Sequence, residues 1–195
     1  MSKRKGTKRK GTKRRNDAAD AMTFMHLTAG KWISQALAVA ADLGIADLLK
    51  DGAKTAANIA RATSASEDGV YRLLRALASL GLFAESANRK FRLMPLGQLL
   101  RTDSTQALGA YARFVAHEST WRPWGELRYS VRTGEPAFDR VFGMPVFEYF
   151  AKAPEAAAVF DAAMTSIARW RPEPSPRRTI FRASARSWTS AVVMA

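Results

Sequence analysis

The sequence predicts a mainly α protein, in which a winged-helix domain with a small β-hairpin is followed by a helical extension. Apolar residues recur with helical spacing in successive segments that glycines and prolines separate, and two short β-prone runs flank the polar turn at residues 86–88. Three helices followed by a hairpin form the winged-helix arrangement. The predicted domains are a disordered basic tail at 1–15, a winged-helix domain at 16–104, a helical extension at 105–168 and an irregular Arg/Pro-rich tail at 169–195.

The excess positive charge lies in the two tails. The net charge is +14, and residues 1–15 carry nine Lys or Arg and no acid, whereas residues 16–168 carry 16 basic and 16 acidic residues. The repeated block KRKGTKRKGTKRR repels itself and buries no apolar surface, which predicts disorder. Such a tail either binds nucleic acid non-specifically through phosphate contacts or is a solvated tail without a partner.

The winged-helix elements follow from local signals. The segment Thr28–Leu49 has helical apolar spacing and is broken at Gly44. Thr55 is a predicted N-cap for a second helix that reaches about Ala62. Residues 82–85 and 89–93 read as two strands of a hairpin.

The helix predicted between Ser64 and Gly81 has the clearest apolar pattern. Ser64 and Glu67 have capping-box spacing, with Ser66 as a rival cap, and Gly81 is a predicted left-handed helix end. One apolar stripe joins Val70, Leu73, Leu74, Leu77 and Leu80.

The extension is predicted to be helical and rich in aromatic residues. Pro95 begins a helix that covers Leu96, Leu99 and Leu100. Further predicted helices cover 106–118, 121–132, 146–151 and 154–168.

Composition narrows the possible sites. The absence of Cys excludes disulfides and thiolate metal sites, and no spacing of His, Asp and Glu indicates a metal centre. The basic N-terminus is followed by Asn16 and Asp17 where a signal peptide has its apolar segment, and no run approaches the ~18 apolar residues of a membrane helix. We therefore expect a cytoplasmic protein without membrane contact.

Five segments in order resemble the plant-type (class II) S-adenosylmethionine-dependent O-methyltransferases, a class that includes caffeate, flavonoid and bacterial polyketide enzymes. The resemblance covers about residues 22–168. The segments are WISQALAVAADLGIADLL, VYRLLRALASLGLF, FRLMPLGQLL, SVRTGEPAFDRVFG and FEYFAKAPEAAAVFDAAM.

The resemblance implies a homodimer, because the winged-helix domain of this family dimerises. The complete family enzyme transfers a methyl group from S-adenosylmethionine to a hydroxyl of a small, aromatic acceptor. It uses a Gly-rich loop, an acidic ribose ligand and a catalytic His, for which this sequence has no counterpart, since no glycine follows Gly143. We expect no catalytic or cofactor-binding residue and no bound cofactor here, and whether this chain is itself an enzyme stays open.

The composition changes near Ala168, after which Arg, Pro, Ser and Trp predominate. One hypothesis is that the reading frame is lost there and the catalytic half with it. The alternative is an ordinary disordered tail.

The resemblance also implies a pocket for the acceptor. It places the helix with Phe160 and Met164 against the acceptor, and Trp121 and Trp124 are further candidates for the same wall. Ordinary helix packing explains these four side chains equally well. His26 and His117 are interpreted as incidental or packing residues.

A winged-helix DNA-binding protein, helped by the basic tail, is the alternative function. Against it, the N-terminal end of the presumed recognition helix carries Glu67 and Asp68, which repel phosphates. Its cations are Arg72 and Arg75, and the domain is neutral overall.

Overall fold

The computed structural model describes the backbone of residues 6–169 and the side chains of residues 17–169. Its contacts divide the chain into two compact units, with the boundary between Gln35 and Ala36. The domain boundaries read from the sequence remain predictions, and the predicted tail beyond Arg169 lies outside the described residues. The described part is mainly α with a small antiparallel sheet, which confirms the predicted fold class.

The first unit contains helix α1 (Gly6–Thr28) and the beginning of helix α2 (Gly30–Asp42). Helical backbone begins at Gly6, so the structure has a helix over most of the segment for which the sequence predicts disorder. Lys and Arg are good helix formers, and the alanines that follow at 18, 19 and 21 favour the same conformation. Propensity therefore outweighs charge repulsion here.

In the second unit, Gly44 ends the long helix as predicted. It adopts φ 60°, a left-handed conformation that costs Gly little, and helix α3 (Ile45–Leu48) follows it. Helix α4 (Ala56–Thr63) begins at the predicted cap Thr55, whose hydroxyl accepts a hydrogen bond from the N–H of Asn58 at 3.2 Å.

Helix α5 (Glu67–Ser79) is capped by Ser66, whose hydroxyl accepts a hydrogen bond from the N–H of Gly69 at 3.3 Å. The predicted capping box of Ser64 is therefore wrong, and the rival cap is confirmed. Ser64 instead ends α4 in a left-handed conformation with φ 53°. The stripe of α5 faces the core through its fully buried members Val70, Leu74 and Leu77.

The sheet has three antiparallel strands in the order β1-β3-β2. Strands β2 (Phe83–Glu85) and β3 (Lys90–Leu93) confirm the predicted hairpin to within one residue, and the N–H of Ser86 closes it on the carbonyl of Lys90 at 2.9 Å. Strand β1 (Lys54–Thr55) was not predicted, because its two residues are recognisable only from their pairing with β3.

The core lies where α2 to α5 meet this sheet. A 3₁₀ helix (Leu96–Leu100) follows Pro95 as predicted and closes the core with Leu100. The largest fully buried side chains are Phe83, Phe91, Ile45, Ile59, Leu74 and Leu77.

The helical extension contains more and shorter helices than predicted. The predicted helix at 121–132 is divided between two helices. The first contains Pro123 and ends at Gly125, and the second begins at Leu127. The helices are α6 (Gly109–Ala116), α7 (Glu118–Gly125), α8 (Leu127–Thr133), α9 (Ala137–Phe142), α10 (Val146–Lys152) and α11 (Pro154–Arg169).

Two sets of polar contacts position the helices of the extension. The guanidinium of Arg113 on α6 donates to the carbonyl of Ala41 at 2.9 Å and lies 3.0 Å from the carboxylate of Asp42. Within the extension, the hydroxyl of Ser166 on α11 donates to the carbonyl of Ala107 at 2.7 Å. Arg113 thus links α6 to α2, and Ser166 links α11 to the segment that precedes α6.

Replacing Gly97 by Ala tests the packing under the 3₁₀ helix. An added Cβ would overlap the carbonyl oxygen of Leu82 and lie 2.7 Å from Cδ1 of Leu93. We expect a loss of about 1–3 kcal/mol in the free energy of unfolding, measured by denaturant titration. Gly125→Ala is the matched control, since no atom lies within 4 Å of its added Cβ. Equal stabilities of the two variants would contradict the expectation.

Candidate functional site

An apolar surface is exposed on the first unit. We call it the 22–32 surface, and its exposed members are Met22, Phe24, Met25, Leu27 and Trp32. Leu27 and Trp32 are 76% and 75% exposed. These side chains follow one another along α1 and the start of α2 without sharing one face of α1, and several exposed large apolar side chains in one segment mark an interaction region.

From the sequence, the apolar face of the first predicted helix, which includes Leu37 and Ala40, is too large to leave in water, and this predicts a dimer contact there. In the structure these two residues are not on an exposed surface. Ala40 is fully buried in the core of its own chain, and Leu37 packs against that core. The prediction that Ala40 forms an intermolecular contact is therefore wrong. Sequence periodicity marks an apolar face but does not say whether the same chain or another one covers it.

The structure does not bring the four predicted pocket residues into one cavity. Trp121 is 39% exposed and lines a cleft of about 670 Å³ beside α7 and α9, whereas Phe160 and Met164 lie half-buried on α11. Trp124 is half-buried on α7. The lining of the cleft is Glu118, Trp121, Arg122, Gly125, Glu126, Arg140 and Val141.

Paired charges line this cleft. Arg122 lies 2.6 Å from Glu118, one helical turn away, and Arg140 lies 3.7 Å from Glu126. The Arg122 guanidinium also lies 5.2 Å from the ring centroid of Phe142. The four charges cancel, so the cleft attracts neither anions nor cations at long range. The i,i+4 spacing of Glu118 and Arg122 makes the first ion pair recognisable in the sequence. The second pair, Arg140 and Glu126, joins separate segments and has no such spacing.

Phe160 belongs to an aromatic cluster that the sequence did not reveal. Its ring lies 5.0 Å from Phe150 on α10 in a stacked arrangement, at an interplanar angle of 27°. It also meets Phe114 on α6 edge-on at 5.7 Å and 69°. Tyr149 continues the cluster from α10 to the rings of Phe138 and Phe142 on α9.

His117 caps a helix. Its Nδ1 accepts a hydrogen bond from the N–H of Ser119 at 3.2 Å and lies 2.9 Å from the Ser119 hydroxyl. A nitrogen that accepts from an amide carries no proton, so Nδ1 is the acceptor nitrogen of the ring. This contact orders the start of α7, whose next turn carries Trp121.

The cations of the presumed recognition helix have acidic partners within the same domain. Arg72 pairs with Asp68 at 3.0 Å, and Arg75 lies 3.7 Å from Glu85. These partners come from the domain itself. The side chains of the basic segment at 1–15 lie outside the described residues.

Neither a metal-binding cluster of His, Cys, Asp and Glu nor a membrane-spanning helix lies within the described residues. Among them, no group of three or more His, Cys, Asp and Glu is arranged to hold a metal ion. None of the helices between residues 6 and 169 combines the length and apolar character that a membrane crossing requires.

Residues 25–103 match the model of the O-methyltransferase dimerisation domain. The chain is 38% identical over 146 residues to the phenazine O-methyltransferase PhzM of Lysobacter antibioticus, a match that covers 74% of this chain and 42% of that protein. It is similar to the structure of the mitomycin 7-O-methyltransferase MmcR, with a TM-score of 0.70, 35% identity and coverage of 78% of this chain and 45% of that one.

A third match carries ligands. The crystal structure of the O-methyltransferase NcsB1 from neocarzinostatin biosynthesis, in complex with S-adenosylmethionine and 2-hydroxy-5-methyl naphthoic acid, gives a TM-score of 0.60 at 32% identity. That match covers 69% of this chain and 42% of NcsB1. The chain thus spans less than half the length of each of these relatives.

Replacing His117 by Ala tests the helix cap. We expect a loss of about 1 kcal/mol in the free energy of unfolding, because the Ser119 N–H, on a buried residue, loses its acceptor. The matched control is His26→Ala, which changes the exposed histidine of α1. Thermal unfolding followed by circular dichroism measures both. A loss of similar size in the two variants would argue against a capping role.

Proposed function

Because this chain belongs to the O-methyltransferase family through its dimerisation domain at residues 25–103, we propose that it pairs with a second copy of itself through the 22–32 surface. We further propose that its helical extension forms part of the wall of an aromatic acceptor pocket. In the complete protein the reaction would be methyl transfer from S-adenosylmethionine to a hydroxyl of a small aromatic molecule, in the cytoplasm.

The exposure of the 22–32 surface carries the dimer proposal. Full burial of one large apolar side chain contributes about 1.5–3 kcal/mol. Burial of all five would contribute at most on the order of 10 kcal/mol per chain, since they do not share one face of α1, which is comparable with the roughly 4–15 kcal/mol that association costs in lost freedom. A self-complementary contact uses the surface of both copies and doubles the gain.

Two observations support the proposal of an acceptor wall: the aromatic surroundings of Phe160 and the names of the similar proteins. PhzM is a phenazine O-methyltransferase, and the ligand in NcsB1 is a naphthoic acid. Phenazine and naphthoic acid are both flat aromatic ring systems. Phe160 and Met164 are half-buried and one turn apart on α11, where apolar contact with a ring is available. The pocket roles of Trp121 and Trp124 also remain proposals.

The cofactor proposal applies to the complete enzyme. The structure of NcsB1 contains S-adenosylmethionine. The expectation that residues 1–195 bind no cofactor on their own remains a prediction, which titration of S-adenosylmethionine into the chain tests by calorimetry.

A second candidate function is non-specific binding of nucleic acid through residues 1–15. The nine cations of that segment favour it. The acidic first turn of α5, with Glu67 and Asp68, favours the tail over the winged helix as the contact region.

Introducing an acidic side chain on the 22–32 surface tests the dimer. We expect the wild-type chain to sediment at twice its mass of 21.4 kDa at micromolar concentration. Leu27→Asp and Trp32→Glu should raise the dimer dissociation constant at least tenfold, because each places a charge in an apolar contact. Val131→Asp is the control, since Val131 is 78% exposed on α8. A monomeric wild type, or unchanged dimers of both surface variants, would refute the proposal.

Deletion of residues 1–15 tests the second candidate. We expect the full chain to bind duplex DNA of any sequence, with an affinity that falls steeply between 50 and 200 mM salt, as phosphate contacts require. The deletion should abolish this binding, measured by fluorescence anisotropy. Sequence-specific binding that survives the deletion would instead indicate that the winged helix contacts DNA.

A further inference from the structure

One face of α1 in the first unit carries three side chains that can bind a metal ion. Met22, Met25 and His26 have the spacing i, i+3, i+4. An α-helix turns by about 100° per residue, so the three side chains fall within an arc of about 100°. By the same spacing, Phe24 and Leu27 lie on the opposite side of α1. The helix therefore has one face with two thioether sulfurs and an imidazole, and another face with two purely apolar side chains.

The three side chains of this donor face are open to solvent. Met22 is 55% exposed, Met25 is 62% exposed, and His26 is exposed as well. The other methionines between residues 17 and 169 are half-buried. The chain contains no Cys, so thioethers are its only sulfur donors. Within the described side chains, the donor face is where such sulfurs are both exposed and next to a histidine.

We propose that Met22, Met25 and His26 form a binding site for a soft monovalent metal ion, Cu(I). Thioether sulfur is a soft donor that selects Cu(I), and imidazole also suits copper. Zinc instead takes thiolate, imidazole and carboxylate ligands. Within the described residues, no group of three or more His, Cys, Asp and Glu is placed to hold it. The donor set therefore favours Cu(I) over Zn²⁺.

The helix brings the three donors within reach of one ion. Residues three and four positions apart on a helix have Cβ atoms about 5–6 Å apart. A Met side chain is unbranched and has several rotatable bonds, so each sulfur can turn toward the imidazole of His26. Thioethers carry no proton to lose, and the ion keeps its charge and its oxidation state on binding.

The site is independent of the functions proposed above. It lies wholly on α1 and uses no residue of the acceptor wall. Phe24 and Leu27 face away from the donors, so a second copy that packs on those two side chains leaves the donor face open.

Titration with Cu(I) tests the site. The probe is Cu(I) kept reduced with ascorbate in the absence of oxygen, in competition with the coloured chelator bicinchoninate. We expect the full chain to bind one ion per copy. Met22→Leu, Met25→Leu and His26→Ala should each lower the affinity at least about tenfold, since loss of even an outer partner of a metal ligand costs that much. Leu keeps the apolar volume and helix propensity of Met without its sulfur.

The matched control is Met144→Leu, which removes a half-buried sulfur of the second unit and should leave the affinity unchanged. X-ray absorption at the copper edge identifies the ligands, and we expect two sulfur neighbours in the wild type and one in Met25→Leu. A wild-type chain that does not bind Cu(I) at micromolar concentration would overturn the inference, as would equal affinities of Met25→Leu and Met144→Leu. Copper bound through nitrogen and oxygen alone would overturn it too, because the ion would then lie elsewhere.

Discussion

The close approach that small residues on α2 allow is the constraint on which the second unit depends. Ala40 and Ala41 are almost fully buried, and their small side chains let neighbouring segments reach the α2 backbone. Arg113 reaches the carbonyl of Ala41 in the last turn of α2, where a helix favours a cation. Gly109 at the start of α6 leaves room beside the carbonyl of Leu100 and the methyl group of Ala41. Ala41 and Gly109 therefore let the end of α2, the Leu100 carbonyl and the start of α6 approach one another.

Features with a local cause were predictable from the sequence. The apolar stripe of α5 repeats within one or two helical turns, and each helix break is marked by a single glycine, Gly44 or Gly81. The structure has all three features. The choice between Ser64 and Ser66 as cap was not decidable, because both offer a hydroxyl at a plausible distance from the helix. Strand β1 was missed because pairing across about 35 residues leaves no local pattern.

The candidate site shows the same division between local and distant causes. Phe160 and Met164 were found because a turn of α11 puts them on one face, whereas Phe150 and Phe114 come from other helices and carry no spacing that links them to Phe160. The expectation of one shared pocket placed Trp121 with them, but this tryptophan lines the cleft beside α9. Sequence spacing thus identifies the face of a helix, while the neighbour of that face depends on how separate helices pack.

The contact at Gly97 has a consequence at the level of the gene. Every single-base change of a glycine codon that alters the protein either introduces a side chain with a Cβ or stops translation. The carbonyl of Leu82 occupies the space that this Cβ would need. Every amino-acid replacement that lies one base away from codon 97 therefore meets this carbonyl, and among random variants of this gene those that retain a folded domain should keep glycine at this position more often than at position 125.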